Sequence, residues 1–305
     1  MRKTMRLLGV LMAAALLVSP GAALAQAKPK IGVTLHPYYS FVSHIVGDRA
    51  EVVPLIKVGF NVHNYEPQPD DLKRVMDFDA LVTNGVGHDA FAAKIVQAAG
   101  MDGKLPIIYA NDGVALIATA GYEGERKVPN SHTFVSITAS VQQLYAIAEG
   151  LGKLHPDNAA YYRQNARAFA TKLRQLKARY AQRIAGGGDM RIKVATIHGG
   201  YDYLLQEFGL EVTAVIEPAH GLSPSASQLR DTINKIKSAD VNVIFSEIEF
   251  PDQVIDTIRN ETGIRVYSFV HISDGPYTKE KFEEAIEYNM KQLTDAVLDV
   301  RGQKP

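Results

Sequence analysis

The feature that most limits how this chain can fold is one long helical pattern near its middle. From Pro156-Asp157 to Gly186-Gly187-Gly188 there is no internal glycine or proline, and Ala159, Tyr162, Ala166, Phe169, Leu173, Leu176, Tyr180 and Ile184 recur at three- and four-residue spacing. At about 1.5 Å per residue the helix is roughly 40 Å long. A rod of that length can run the full height of a two-lobed molecule as a rigid strut, and it resists the wide hinge closure that flexible linkers allow.

The pattern divides two similar series. Before it, apolar runs rich in β-branched residues occupy Lys30 to Leu35, Glu51 to Ile56, Asp79 to Thr83 and Leu105 to Tyr109; after it come Ile192 to Ile197, Glu211 to Ile216, Val241 to Ser246 and Ile264 to Val270. Amphipathic stretches such as Ala139 to Leu151 and Ser225 to Lys237 alternate with the runs. The expectation is an α/β protein of two similar lobes, each a mostly parallel four-stranded sheet with flanking helices, joined by one long helix. The boundaries read as residues 1–25 for an export signal, 26–156 for the first lobe, 157–185 for the linking helix and 186–305 for the second lobe. An amphipathic helix carrying Phe282, Ile286, Met290, Leu293 and Val297 closes the chain.

Composition narrows the function classes. With 33 basic and 33 acidic residues the chain lacks the basic footprint of a nucleic-acid binder. Arg2, Lys3 and Arg6, the apolar run Leu7 to Val18 and the small-residue site Ala23-Leu24-Ala25 read as a cleaved export signal, too short and too soon broken at Pro20-Gly21 for a membrane span. There is no cysteine, so neither a disulfide nor a lipidated cysteine is expected, and a metal site must draw on His, Asp, Glu or water. The expected compartment is a Gram-negative periplasm, with the protein diffusing freely as a monomer.

Nine histidines are present, and in open α/β sheets ligands bind beyond the carboxyl ends of strands. His63 lies beyond the second predicted strand, His132 beyond the fourth, His198 directly after the fifth, and His271 and Asp274 at the end of the last. These positions can converge on one cleft. Spacing alone leaves each histidine open between metal ligation and an ordinary turn position. His36 and His88 read as cleft-lining, His220 as a rim residue, and His44 and His155 as helix or surface positions. Glu66 and Glu247 are candidates to orient an imidazole from behind.

Read in order, the segment His63-Asn64-Tyr65-Glu66-Pro67, Asn84-Gly85 after the third strand, His132 before a helix, the long helix with Tyr161 and Asn165, His198, Pro224-Ser225-Ala226 and Phe245-Ser246-Glu247 resemble the zinc- and manganese-binding substrate-binding proteins of ABC importers, over about Lys30 to Leu298. The resemblance implies three ligands on His63, His132 and His198, and a fourth on Asp274, with His271 or water as the alternative. It implies capture of a divalent ion between the lobes, delivery to a membrane permease of an ABC importer, and loading by a periplasmic metallochaperone as a further expectation. Three imidazoles and a carboxylate suit Zn2+; Mn2+ sites favour more carboxylate oxygen, and relatives that prefer Mn2+ commonly carry Glu at the position of His198. Mn2+ or Fe2+ is the alternative cargo. A secreted zinc hydrolase and a chelate-binding protein using Tyr38, Tyr39 and Tyr201 are the readings from other classes, and no His-Glu-x-x-His motif supports the first. The histidine-rich loop of many zinc-specific relatives is missing between Asn111 and Ser131.

Overall fold

The computed structural model describes residues 27–118, 129–185, 192–216, 224–248 and 250–302. The expected export signal, the glycine run at 186–188, His220 and Glu249 lie outside them. Among the described residues eight strands form two sheets. The first comprises β1 (Lys30–Val33), β2 (Glu51–Pro54), β3 (Ala80–Thr83) and β4 (Ile107–Tyr109); the second comprises β5 (Lys193–Thr196), β6 (Glu211–Val215), β7 (Val243–Glu247) and β8 (Arg265–Phe269). The strand orders are β2-β1-β3-β4 and β6-β5-β7-β8, and every pairing is parallel. Each expected strand is present, shorter by a residue or more than its apolar run, because the run continues into buried positions beyond the ladder such as Leu35 and Ile56.

Parallel pairing requires a crossover after each strand. In the first lobe these carry α1 (His36–Val46), α2 (Pro69–Val75) and α3 (Ala90–Ala98), followed by α4 (Ile137–Leu154); in the second they carry α6 (Asp202–Gln206), α7 (Ala226–Ser238) and α8 (Asp252–Thr262), followed by α9 (Lys281–Val300). The linking helix α5 (Ala159–Ala185) begins after a 3-10 turn at Pro156–Asn158, where proline fits because a first-turn amide has no intrahelical acceptor. At α7, Ser225 and Gln228 form a reciprocal capping box, satisfying two amides that the helix start would otherwise leave bare.

The buried stripe of α5, formed by Tyr162, Ala166, Phe169, Ala170, Leu173, Leu176 and Ile184, packs against α1, α4 and α9. Phe41 of α1 meets Phe169 of α5 at 6.4 Å and Phe282 of α9 at 4.6 Å, both edge-on. One hydrophobic cluster therefore runs through both lobes, from Val33 and Leu81 to Leu205, Phe269 and Met290, while a smaller one around Ile197, Ile244 and Ile258 covers another part of the second sheet. Separating the lobes would expose that shared core, at about 1.5–3 kcal/mol for each large side chain uncovered, so the relative position of the two sets of strand ends is held by packing as well as by the strut. No helix among the described residues is long and apolar enough to cross a membrane.

Candidate metal centre

The carboxyl ends of both sheets face one buried group of imidazoles. His63, His132, His198 and His271 each offer a ring nitrogen, and the four nitrogens lie within 4.8 Å of one another. Three of the rings are buried and His63 is half-buried.

His63 sits in a 3-10 turn, Val62–Asn64, whose start is capped by the Asn61 side chain accepting the His63 amide at 2.9 Å. The chain then returns to α2 through Tyr65, which donates to Asp71 Oδ2 at 2.6 Å. Asp71 also accepts from the Gln68 amide and from Arg74, and Arg74 in turn donates to the carbonyl of Leu55. The turn is thus closed onto the end of β2.

His132 depends on Asn130. The Asn130 amide nitrogen donates to Gly199 O at 2.7 Å and Asp202 Oδ2 at 2.9 Å, so its Oδ1 must be the atom that faces His132. That oxygen accepts from the His132 amide and lies 3.0 Å from Nδ1, which is therefore the protonated nitrogen. The lone pair is left on Nε2, which points to the cluster, 2.9 Å from Nε2 of His198. Burial first, and then the neighbouring imidazoles of His88, His198, His271 and His63, hold His132 well below the usual histidine range, so the ring is neutral at pH 7. Two nitrogens this close share a proton or a cation.

His198 leaves the end of β5 and is followed by Gly199 and Gly200. A side chain at Gly200 would lie 2.6 and 2.7 Å from His198 ring atoms and 3.1 Å from the His132 ring. Glycine is required there because the backbone forms the wall against which the two imidazoles meet. Tyr201 packs edge-on to His198 and donates to Glu247 Oε1 at 2.9 Å, which places buried Glu247 behind the site.

His271 follows the end of β8 by two positions. Asn289 of α9 accepts from the Val270 amide at 2.8 Å and donates to the Val270 carbonyl at 3.0 Å, fixing the backbone just before the turn. His271 Nδ1 pairs with Ser273 Oγ at 2.5 Å.

Asp274, the expected fourth ligand, is outside this group: it is exposed, and His271 holds the fourth place. The clamp on Val270 turns the chain inward at His271, and three residues later it has emerged from the cleft. Glu66 is also exposed, with Lys94 at 4.0 Å. His36 is buried beside the cleft, but it bonds to Gly275 O at 2.7 Å and stacks on Tyr277 at 3.8 Å. His88 is buried against the rings of His63 and His132. His44 stacks on Phe169, and His155 caps α4 with Tyr162 beside it. Tyr38 is fully buried and bonded to Asn84 Nδ2, so it is a packed member of the site's scaffold. Sequence reasoning missed Asn130 and Asn289. The only signal available for them was proximity, Asn130 two residues before a candidate ligand and Asn289 on the buried stripe of a helix where a polar residue is out of place.

Two parallel-sheet lobes joined by a rigid helix, with an imidazole cluster between them, define a two-lobed metal-site protein of the substrate-binding kind. The chain belongs to the family described as ZnuA, zinc-uptake complex component A periplasmic, whose model matches residues 31–296. It is similar to the SBP FpvC of Pseudomonas aeruginosa, solved in complex with Mn2+: 51% identity over 89% of this chain and 99% of that one, TM-score 0.83. FpvC has also been solved with Ni2+. The high-affinity zinc uptake system protein ZnuA of Bacillus subtilis is 26% identical over 283 residues, 89% of this chain and 87% of the relative. Zinc-binding protein AdcA of Streptococcus pyogenes serotype M1 is 23% identical over 260 residues, 79% of this chain; the match spans 50% of that relative's length.

Proposed function

We propose that this protein captures a divalent transition metal ion in the periplasm, with Zn2+ as the preferred cargo, and hands it to the membrane permease of an ABC importer. The ligands in this reading are His63, His132, His198 and His271. The observation that carries it is the convergence of four imidazole nitrogens from both lobes within 4.8 Å, with the His132 tautomer set by Asn130 so that its bare nitrogen faces inward.

The donor set bears on which ion is taken. An all-imidazole set suits zinc and its late-transition neighbours, whereas manganese is better served by carboxylate, carbonyl and water oxygen. Four protein donors also fill the position that a hydrolytic zinc site leaves to water, which favours carriage over catalysis. In a zinc shell the nitrogens lie about 2.0–2.1 Å from the ion and so about 3.3 Å from one another. Closing from the present spread asks each side chain for a shift of about an ångström or less, well within what two packed lobes allow without a hinge.

Calorimetry on chelator-stripped protein with Zn2+ and with Mn2+ tests the reading. The expected result is one ion per chain, with zinc bound more tightly than manganese. Equal zinc affinity in wild type and a His63→Ala/His132→Ala double variant would overturn it.

A further inference from the structure

Among the described residues five imidazoles meet at this site, and the place of the fifth bears on which ions it accepts. The ring centres of His63, His132 and His271 form a nearly equilateral triangle with sides of 5.3, 5.4 and 5.4 Å. His198 lies 5.6, 4.6 and 5.7 Å from those three centres in the same order. His88 lies 4.5, 4.6 and 5.8 Å from them. Two points with such similar distances to one triangle either nearly coincide or stand on opposite sides of its plane. Two rings cannot share one volume, so His88 and His198 cap opposite faces. The five ring centres make a trigonal bipyramid.

Its dimensions match coordination chemistry. With nitrogen about 2.0–2.1 Å from the ion, an imidazole ring centre sits about 3.2 Å away, and four such centres in a tetrahedron are about 5.3 Å apart. Both halves of the bipyramid have edges close to that value. An ion in the plane of the shared triangle has three ring centres at about 3.1 Å and an apical imidazole centre about 4 Å above and below it, so a five-coordinate shell asks each apical ring to move inward by about an ångström or less.

His88 is held in place with care. It sits between β3 and α3, where the chain leaves the first sheet at its topological switch point, between β1 and β3, the place where open α/β sheets take their ligands. Gly87, at φ 102°, makes a turn that side-chain-bearing residues rarely adopt. On the other side, Asp89 accepts from Thr34 Oγ1 at 2.5 Å and from the Asn84 amide at 2.6 Å, pinning the loop to the ends of β1 and β3. Asn84 also donates to Ser131 O, next to His132, at 3.0 Å. The His88 Nδ1 edge faces Ser131 Oγ at 3.4 Å, leaving Nε2, shut off from solvent, as the donor atom.

We propose that His88 is a further metal ligand, apical and opposite His198. The site then offers five nitrogens to ions that take such a shell, Ni2+ and Co2+ among them, and holds tetrahedral Zn2+ with His63, His132, His198 and His271. This rests on the metal-binding reading above.

The test uses the mature wild-type chain and two variants, His88→Ala and His88→Gln, the second keeping the side-chain volume should truncation disturb the loop. X-ray absorption of the Ni2+-loaded wild type is expected to count five imidazoles, and the Co2+-loaded protein to show the weak visible bands of five-coordination. In both variants the Co2+ bands gain the intensity of a tetrahedral site. Ni2+ affinity falls by more than about 100-fold, beyond the loss of a supporting partner, and zinc affinity by clearly less. A four-imidazole nickel shell in wild type, or a variant Co2+ spectrum identical to wild type, overturns the assignment of His88. Failure of the wild type to bind any of the three ions would instead overturn the metal-binding reading, and this inference with it.

Discussion

The two lobes share strand order and strand direction, yet they deliver their imidazoles differently. In the second lobe His198 and His271 stand two positions beyond Thr196 and Phe269, the last residues of β5 and β8, and the Asn289 clamp on Val270 adds to the sheet's aim at His271. In the first lobe His63 and His132 are reached through irregular chain after β2 and β4, and each is aimed by an asparagine two residues upstream, Asn61 and Asn130. Strand ends carry precision from the ladder; loops must obtain it from side-chain hydrogen bonds. The second lobe is therefore expected to hold its ligands more firmly than the first, a difference that ion-release rates read. Asn130 bridges the two by bonding to Gly199 and Asp202 as well as to His132.

The largest effect that would test this contrast is loss of a strand-end ligand. His198→Ala and His271→Ala are each expected to lower zinc affinity by more than about a thousandfold, since a ligand counts for more than the roughly 10–100-fold of a supporting partner. Asp274→Ala is expected to change it by less than about threefold, because an exposed residue outside the cluster alters only the surroundings. Competition with a chromophoric chelator measures all three. A thousandfold loss in Asp274→Ala with little in His271→Ala would move the fourth ligand back to the aspartate.

The next effect separates loop support from strand support. Asn130→Ala removes the acceptor that fixes the His132 tautomer and the bridge between lobes, and is expected to cost about 10–100-fold in zinc affinity with a faster off-rate. Ser273→Ala removes a partner from His271, which follows the Asn289-clamped Val270, and is expected to cost under about tenfold. Stopped-flow release into excess chelator gives both rates. Equal losses in the two variants would mean that the lobes hold their ligands alike.

Much of this arrangement was readable before any coordinates. Eight β-branched runs interrupted by amphipathic stretches dictate two parallel sheets because each signal is local, and the stripe on residues 159–184 is unambiguous over many turns. Position beyond a strand made His63, His132 and His198 candidates, and the family resemblance, not spacing, put ligands on them. His271 and Asp274 were harder to tell apart: both follow β8 within five residues, and which of them turns inward depends on Asn289, distant in sequence, gripping Val270. The role of His88 depends on distances among rings from both lobes, which no spacing along the chain contains. Donors to a shared centre are chosen by long-range backbone clamps, and those leave only faint marks in a single sequence.

A last effect, on stability and not on affinity, concerns the contact that ties the second lobe's ligand loop to the first lobe. His36, at the start of α1, bonds to Gly275 O and stacks on Tyr277, and Ser40 donates to the carbonyl of Lys279, so the segment after His271 is clasped against α1. Burial, opposed by the bond to Gly275 and aided by Lys281, lowers the His36 pKa to about 4. The folded state keeps this ring neutral, while the unfolded chain protonates it near pH 6.5. The unfolded state therefore binds more protons below about 6.5, and the associated stability, complete above that value, is lost as the pH falls towards 4. His44, lowered to about 4 by burial beside Lys279, acts in the same direction. Metal-free wild type is expected to lose about 2 kcal/mol more stability than His36→Gln between pH 7.5 and 5, measured by urea unfolding. The glutamine amide can still donate to Gly275 and has no proton to gain, so an unchanged pH slope in that variant would show that burial does not hold His36 neutral.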